Sequence, residues 1–220
     1  MTQVIFIGAT GTDIGKTYVT CLLLRQLQEQ GYKVRAIKPV ISGFDEDNIA
    51  DSDTGRLLTT MGLTPDLANA EKISPWRYKD PLPPHLVALQ TARPIVFDRL
   101  VQYCQQQTAE NPDFLLIEGA GGIMTPLDYD HTTLDLMAHL DCACLLVAGS
   151  YLGTISHSLT ALTCLRQRDI DIKGLVICQS PQDYTDFDMI RQDFTKIIPD
   201  LPITTIGRHD QTTDLSTLVI

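Results

Sequence analysis

The chain alternates short, nearly continuous apolar runs with longer stretches whose apolar residues return every three or four positions. Val4 to Gly8 reads as a buried strand. Lys16 to Gln30 carries Val19, Leu22, Leu23 and Leu27 at helical spacing and ends at Gly31, a residue suited to the turn that closes a helix. The pattern then predicts a strand over Lys33 to Pro39 and a helix over Asp53 to Met61, closed by Gly62. Pro81 to Pro84 form a turn into a short helix through Ala88, and Pro94 opens a helix to about Gln107. Further strands are expected at Phe114 to Glu118, Cys144 to Gly149, Lys173 to Cys178 and Ile203 to Ile206. Helices are expected at Thr154 to Arg168 and Phe187 to Ile198, while the polar tail after Ile206 has no strong pattern.

Strands alternating with helices predict an α/β fold with a parallel sheet, flanked by helices on both faces. Apolar runs without polar alternation are what double coverage requires. Ligands in such sheets bind beyond the carboxyl ends of the strands, which is where the polar candidates below fall. No repeat, low-complexity tract or linker divides the 220 residues, so residues 1–220 are expected to form one domain.

Composition changes this picture little, with 44% apolar and 20% charged residues, an ordinary globular balance. No apolar run approaches the ~18 residues of a membrane span, so no membrane partner is expected. Met1-Thr2-Gln3 lead straight into the first strand without a basic region, which reads as no signal peptide. The cysteines, Cys21, Cys104, Cys142, Cys144, Cys164 and Cys178, form no C-x-x-C pair and mostly sit in apolar runs. They read as core residues with free thiols, and the expected compartment is the cytoplasm. A net charge of −10 disfavours DNA or RNA as a partner.

The strongest chemical signal is FIGATGTDIGKT, Phe6 to Thr17, placed between the first strand and the first helix. A phosphate-binding loop needs backbone N–H groups turned inward, a glycine for close approach, and a helix N-terminus behind them. Gly15 supplies the approach, Lys16 the cation for the β- and γ-phosphates, and Thr17 the hydroxyl for Mg²⁺. The usual first glycine of G-x-x-x-x-G-K-[ST] is replaced by Thr10, with Gly8 and Gly11 on either side, so this is a variant P-loop. One ATPase subclass carries a second lysine five residues before the conserved one. Gly11 stands there, which argues against the membrane-partitioning and chromosome-segregation ATPases.

Other polar residues gather at strand ends. Lys38 follows the second strand within Lys38-Pro39-Val40-Ile41-Ser42-Gly43, where it can neutralise charge or orient a substrate. Asp53 follows a polar run and reads either as a helix N-cap or as a site acid. Glu118 ends a strand and precedes Gly119-Ala120-Gly121-Gly122, like the Mg²⁺-side acid of nucleotide triphosphatases. Thr17, Asp53 and Glu118 together offer the few protein oxygens that Mg²⁺ takes. His85, after Pro81-Leu82-Pro83-Pro84, reads as ordering a helix start, and His157 as a packing residue.

The set of motifs resembles the dethiobiotin synthetase family over roughly positions 4 to 180. The carriers are GTDIGKT at 11–17, KPVISG at 38–43, SD at 52–53, PLPPH at 81–85, ARPI at 92–95, EGAGG at 118–122, TPL at 125–127 and YLGTISH at 151–157. The resemblance implies ATP- and Mg²⁺-dependent ring closure of 7,8-diaminononanoate with CO₂, through a carbamate and its phosphorylated anhydride. It implies Lys38 and Lys16 as the catalytic cations. Nucleotide would be held by Asp13, Ile14, Gly15, Lys16, Thr17, Tyr18, Asp53, Glu118, Gly119, Ala120 and Gly121, with Cys178 and Gln179 at the base end. Thr12 and Ser42 would contact substrate. Gly153, Thr154, Ile155 and Ser156 would receive its carboxylate from a partner subunit, which implies a homodimer with sites at the interface.

The chain departs from the family pattern at Ala9, Gly11 and Tyr151, and after the last strand at Ile206-Gly207-Arg208. Cys178-Gln179 stand where an Asn-Asp pair commonly reads adenine. An amide-forming synthetase of the cobyrinic acid type is the nearest alternative, but the chain has no room for the glutaminase domain that usually accompanies it. A regulatory ATPase switch lacks its second lysine here, and a purely binding module would not need Lys16, Thr17, Lys38, Asp53 and Glu118 together.

Overall fold

The computed structural model describes residues 2–181 and 186–220. Strand β1 (Gln3–Ala9) leads through the glycine-rich loop into helix α1 (Lys16–Glu29). Strand β2 (Val34–Ile37) is followed by β3 (Val40–Ser42), a 3-10 turn at Glu46–Asp51, helices α2 (Asp53–Thr60) and α3 (Leu67–Ile73), and strand β4 (Trp76–Tyr78). Helices α4 (Pro84–Gln90) and α5 (Phe97–Gln106) precede β5 (Phe114–Glu118), α6 (Thr133–Leu140) and β6 (Ala143–Gly149). Helix α7 (Thr154–Gln167), β7 (Ile172–Cys178), α8 (Phe187–Ile197) and β8 (Ile203–Ile206) follow, with a 3-10 turn at Ser216–Leu218.

Six strands form one sheet in the order β2-β5-β1-β6-β7-β8, and every pairing is parallel. All five residues of β5 are buried, as are the last six of β6. Neighbouring residues of a strand point to opposite faces, so unbroken burial means that both faces are covered. The first strand lies in the middle, between β5 and β6. The loop that leaves its carboxyl end therefore emerges at the centre of the ligand-binding edge.

The expected strand Lys33 to Pro39 is shorter and broken. Pro39 has no N–H to donate to a ladder. The main sheet therefore ends at Ile37, and the chain resumes at Val40 in a separate two-stranded parallel sheet with β4. Lys38 sits at this break, its N–H donating to Ile73 O at 3.1 Å. The helix expected from Pro94 begins instead at Phe97, because Val96 remains extended.

Helices α3 and α6 and strand β4 were not apparent in the periodicity. Helix α3 is short, capped by Asp66, whose carboxylate accepts from Asn69 N–H. Helix α6 begins at a capping box between Thr132 and Asp135. The tail is not patternless in three dimensions, since Leu215 and Val219 are buried against the body of the protein. All six cysteines are free, and four are buried, as expected of core thiols. Among the described residues no helix is long and apolar enough to cross a membrane.

Candidate nucleotide and substrate site

The loop after β1 is held in place before any ligand is considered. Thr10 N–H donates to Val147 O at 3.0 Å, tying the loop to β6. Lys16 Nζ reaches back to Gly11 O at 3.0 Å, closing the loop into a ring. Asp13 and Gly15 both take positive φ, 56° and 104°. A Cβ at Gly15 would lie 2.8 Å from Cys178 Sγ, so this position needs glycine for its backbone and for its contact with β7.

Lys16 and Thr17 open α1, where the first N–H groups lack helical partners. Across from them, Lys38 Nζ lies 2.5 Å from Glu118 Oε1 and 3.0 Å from Asp53 Oδ2. Thr17 Oγ1 donates to the same Glu118 oxygen at 2.7 Å. Two chain segments thus donate to one buried carboxylate, and Asp53 joins them through Lys38. The N-cap of α2 is Ser52, whose hydroxyl accepts from Gly55 N–H at 3.0 Å. Asp53 is therefore released from the capping role and turns its carboxylate towards Lys38.

The electrostatics follow from burial and pairing. Burial, reinforced by the nearby Lys38 charge, lowers the Lys16 pKa to about 8. Burial also opposes the charged form of Lys38, but Glu118 and Asp53 outweigh it and raise the Lys38 pKa. Burial would raise the Asp53 pKa, yet Lys38, with Thr17 and Lys16 in support, lowers it. Glu118 Oε2 is buried and accepts no hydrogen bond.

Two adjoining cavities meet at the loop. The first, about 360 Å³, contains Lys16, Thr17, Lys38, Ser42 and Asp53, with Thr12, Ala120 and Gly121 on its walls. Arg56, one turn after Asp53 on α2, lines it too and was not singled out from the sequence. Its signal was the i, i+3 spacing from Asp53. The second cavity, about 220 Å³, runs between Ile14 and Cys178-Gln179 and is closed by Ser180, Pro181 and residues 206–209. Of these closing residues the sequence marked only Ile206, Gly207 and Arg208, as a departure from the family pattern after the last strand, and not as site residues. Asp13, Gly15 and Tyr18 border both cavities. Gln179 Oε1 accepts from Arg208 N–H at 2.9 Å, joining the end of β7 to the tail.

The glycines after β5 serve packing more than ligand approach. A Cβ at Gly119 would lie 2.8 Å from the Phe6 ring, and one at Gly121 would lie 2.3 Å from Thr125 Oγ1. Ala120 and Gly121 line the first cavity, while Glu118 and Gly119 do not reach it and border a small neighbouring void with Phe6 and Ile117.

Gly153, Thr154, Ile155 and Ser156 are brought to neither cavity. They form the start of α7, beside Leu152, which is 81% exposed. His157 is exposed rather than packed, lining a third groove with Thr10, Gly11 and Thr12, and its Nδ1 is 2.9 Å from Tyr151 Oη. His85 stands in the first turn of α4 after Pro84, with its ring edge on Tyr129 and its buried Nδ1 without a hydrogen-bond partner.

A family model described as an AAA domain matches residues 3–216. The ATP-dependent dethiobiotin synthetase BioD of Caulobacter sp. (strain K31) is 43% identical over 200 residues, 90% of this chain and 85% of that protein. The protein of the same name from Lysinibacillus sphaericus is 32% identical over 227 residues, 99% of this chain and 92% of its own length. Among solved structures, the MinC:MinD cell division protein complex of Aquifex aeolicus matches with a TM-score of 0.57 and 16% identity. It covers 99% of this chain and 85% of that one, a likeness that shows the P-loop fold alone.

Proposed function

Because the chain belongs to the ATP-dependent dethiobiotin synthetase family, the ligases of biotin biosynthesis, we propose that it closes the ureido ring of dethiobiotin from 7,8-diaminononanoate, CO₂ and ATP. One observation carries this reading. Lys16, Thr17, Lys38 and Asp53 line a single cavity at the ligand-binding edge of the sheet, with Thr17 and Lys38 both bonded to the buried Glu118.

The chemistry brings anions together. One substrate amine adds CO₂ and loses a proton to become a carbamate. The carbamate oxygen takes the γ-phosphoryl group, and ADP leaves. The second amine then attacks the carbonyl, phosphate departs, a proton is lost and the ring closes. A carbamate and a triphosphate repel each other, so fixed cations aimed at the transferring group supply the largest expected term. Lys16 faces the triphosphate from the start of α1. Lys38 is fixed by two carboxylates and holds its charge where the carbamate and the γ-phosphate would meet.

The site suits Mg²⁺. Thr17, Asp53 and Glu118 would hold it, and Glu118 Oε2 is a buried oxygen with no hydrogen bond to satisfy it. Among the described residues no group of three His, Cys, Asp or Glu side chains gathers. Two carboxylates and a hydroxyl are a sparse set, appropriate to an ion that also takes phosphate and water ligands. Bound there, Mg²⁺ would neutralise charge on the β- and γ-phosphates.

Thr12 and Ser42, on the walls of the first cavity, would contact the diamine. The carboxylate of the substrate would be received by Gly153 to Ser156 of a second copy. The start of α7, where Gly153 and Ser156 are exposed and Thr154 is buried, lines neither of its own chain's two cavities, which supports this arrangement. In this reading residues 1–220 act as one domain, in a homodimer in the cytoplasm.

The test mixes the purified chain with diaminononanoate, bicarbonate, Mg²⁺ and ATP and follows dethiobiotin by mass spectrometry. ATP hydrolysis without dethiobiotin would refute the proposal.

A further inference from the structure

One wall of the base-side cavity is supplied by neither strand nor helix. Gly207, Arg208 and His209 close it, at the start of a tail whose sequence predicts no order. The tail is nevertheless pinned. Asp210 N–H donates to Gly207 O at 3.2 Å, making a tight turn, and His209 takes a φ of 64° within it. The Asp210 carboxylate accepts from Thr212 N–H at 2.8 Å and from the Thr213 hydroxyl at 2.5 Å.

Helix α1 grips this turn from the side. The Tyr18 hydroxyl donates to the Asp210 carbonyl. Arg25 Nη1 donates to Gln211 Oε1 at 2.8 Å. The Gln26 amide uses both of its ends, donating to Thr213 O and accepting from Leu215 N–H, each at 2.8 Å. Gln30 donates to Ser216 Oγ at 2.6 Å. Tyr18 and Gln26 lie eight residues apart on one row of α1, and Gln30, the residue that caps the helix, continues the same spacing. The helix that opens with Lys16 and Thr17 therefore also holds the far wall of the neighbouring cavity.

We propose that Gln26, with Tyr18, is a positioning residue for the nucleotide base: by clamping residues 210–216 along α1, it fixes the turn at 207–209 as the wall against which the base is selected. The inference rests on the nucleotide reading above. At the opposite wall, Cys178 contributes a thiol in place of an amide, and Gln179 Oε1 is already committed to Arg208 N–H. Shape at this end of the site therefore depends on where the tail lies. A tail ordered in advance spares the bound base the cost of ordering it. Gln26 itself lines neither of the two cavities, so its influence on a base would have to pass through the tail.

The experiment compares a ligand that has a base with one that has none. The full chain and its Gln26→Ala variant are titrated calorimetrically, in Mg²⁺, with a non-hydrolysable ATP analogue and with inorganic tripolyphosphate. Loss of the two-ended amide is expected to weaken the ATP analogue roughly fivefold and leave tripolyphosphate unchanged. In turnover, KM for ATP should rise while kcat and KM for diaminononanoate stay at their wild-type values. Equal weakening of both ligands, or no change in either, overturns the proposal. If Gln26→Ala does not fold, Gln26→Glu keeps the acceptor for Leu215 N–H, removes the donor to Thr213 O and carries the same comparison of affinities. A wild-type chain that binds neither ligand refutes the nucleotide reading itself. A wild-type chain that binds both, with unchanged variants, refutes only the role of Gln26 and Tyr18.

Discussion

Replacing Lys38 with methionine tests how the site holds its charges. The Lys38 side chain is 5% exposed and Glu118 is fully buried, whereas the Asp53 side chain is 42% exposed. Water screens the Asp53 arm, which is worth about 0–1 kcal/mol. The Glu118 arm decides the outcome, because Lys38→Met leaves a carboxylate charge buried and unpaired. That costs about 3–5 kcal/mol. For a chain of this size the loss corresponds to a fall in Tm of about 6–20 °C. Neutralising Glu118 in the same molecule removes the penalty. The Lys38→Met/Glu118→Gln double variant should therefore recover more than half of the stability lost by Lys38→Met, although neither variant makes dethiobiotin. Urea denaturation at constant m-value, without Mg²⁺, measures both variants and the single Glu118→Gln variant against wild type. A double variant whose loss equals the sum of the two single losses would refute the pairing argument.

Lys38→Ala should abolish dethiobiotin formation while sparing much of the nucleotide affinity measured by calorimetry, and loss of nucleotide binding would reassign its role. Gly15→Ala meets a positive φ and a Cys178 sulfur 2.8 Å away, so it should cost about 1–2 kcal/mol of backbone strain and weaken ATP and tripolyphosphate alike. Wild-type affinity in that variant would contradict the contact. With Cys178-Gln179 at the base end, GTP or CTP should support measurable turnover, and activity with ATP alone among the four triphosphates would overturn this. Hydrogen bonds from Thr213 and Thr212 lower the Asp210 pKa from 3.8 to about 2. Its folded value lies below its unfolded one, so its stabilisation is present above pH 3.8 and fades as pH falls towards 2. Asp210→Asn should flatten that part of an acid-unfolding curve, and an unchanged acid limb would refute the assignment.

Much of the architecture was legible because buried parallel strands must be apolar on both faces, and those runs stand out between helical patterns. The P-loop was legible for a related reason, since Gly15, Lys16 and Thr17 are neighbours in sequence as well as in space. Lys38, Asp53 and Glu118 were individually visible as polar residues at element ends. Their convergence, with both carboxylates on Lys38, was not, because it depends on the strand order that sets β5 beside β1 and β2. Helix α6, although Leu134 and Met137 fall at helical spacing, escaped notice because it is only eight residues long and its start is fixed by side-chain bonds between Thr132 and Asp135. The tail escaped for the same reason. Its partners on α1 lie more than 180 residues earlier, and a polar sequence that satisfies itself through distant amides carries no local signature.

The central place of the first strand has a consequence for how the chain is made. Strand β1 is synthesised first, but its two neighbours in the sheet begin at Phe114 and Ala143. While the ribosome works at about 5–20 residues per second, the glycine loop emerges early, and for several seconds no sheet exists to brace it. Thr10 N–H waits for Val147 O, and Gly15 waits longer still for Cys178. The contacts that brace the loop are therefore complete only once Cys178, about four-fifths of the way along the chain, has been made.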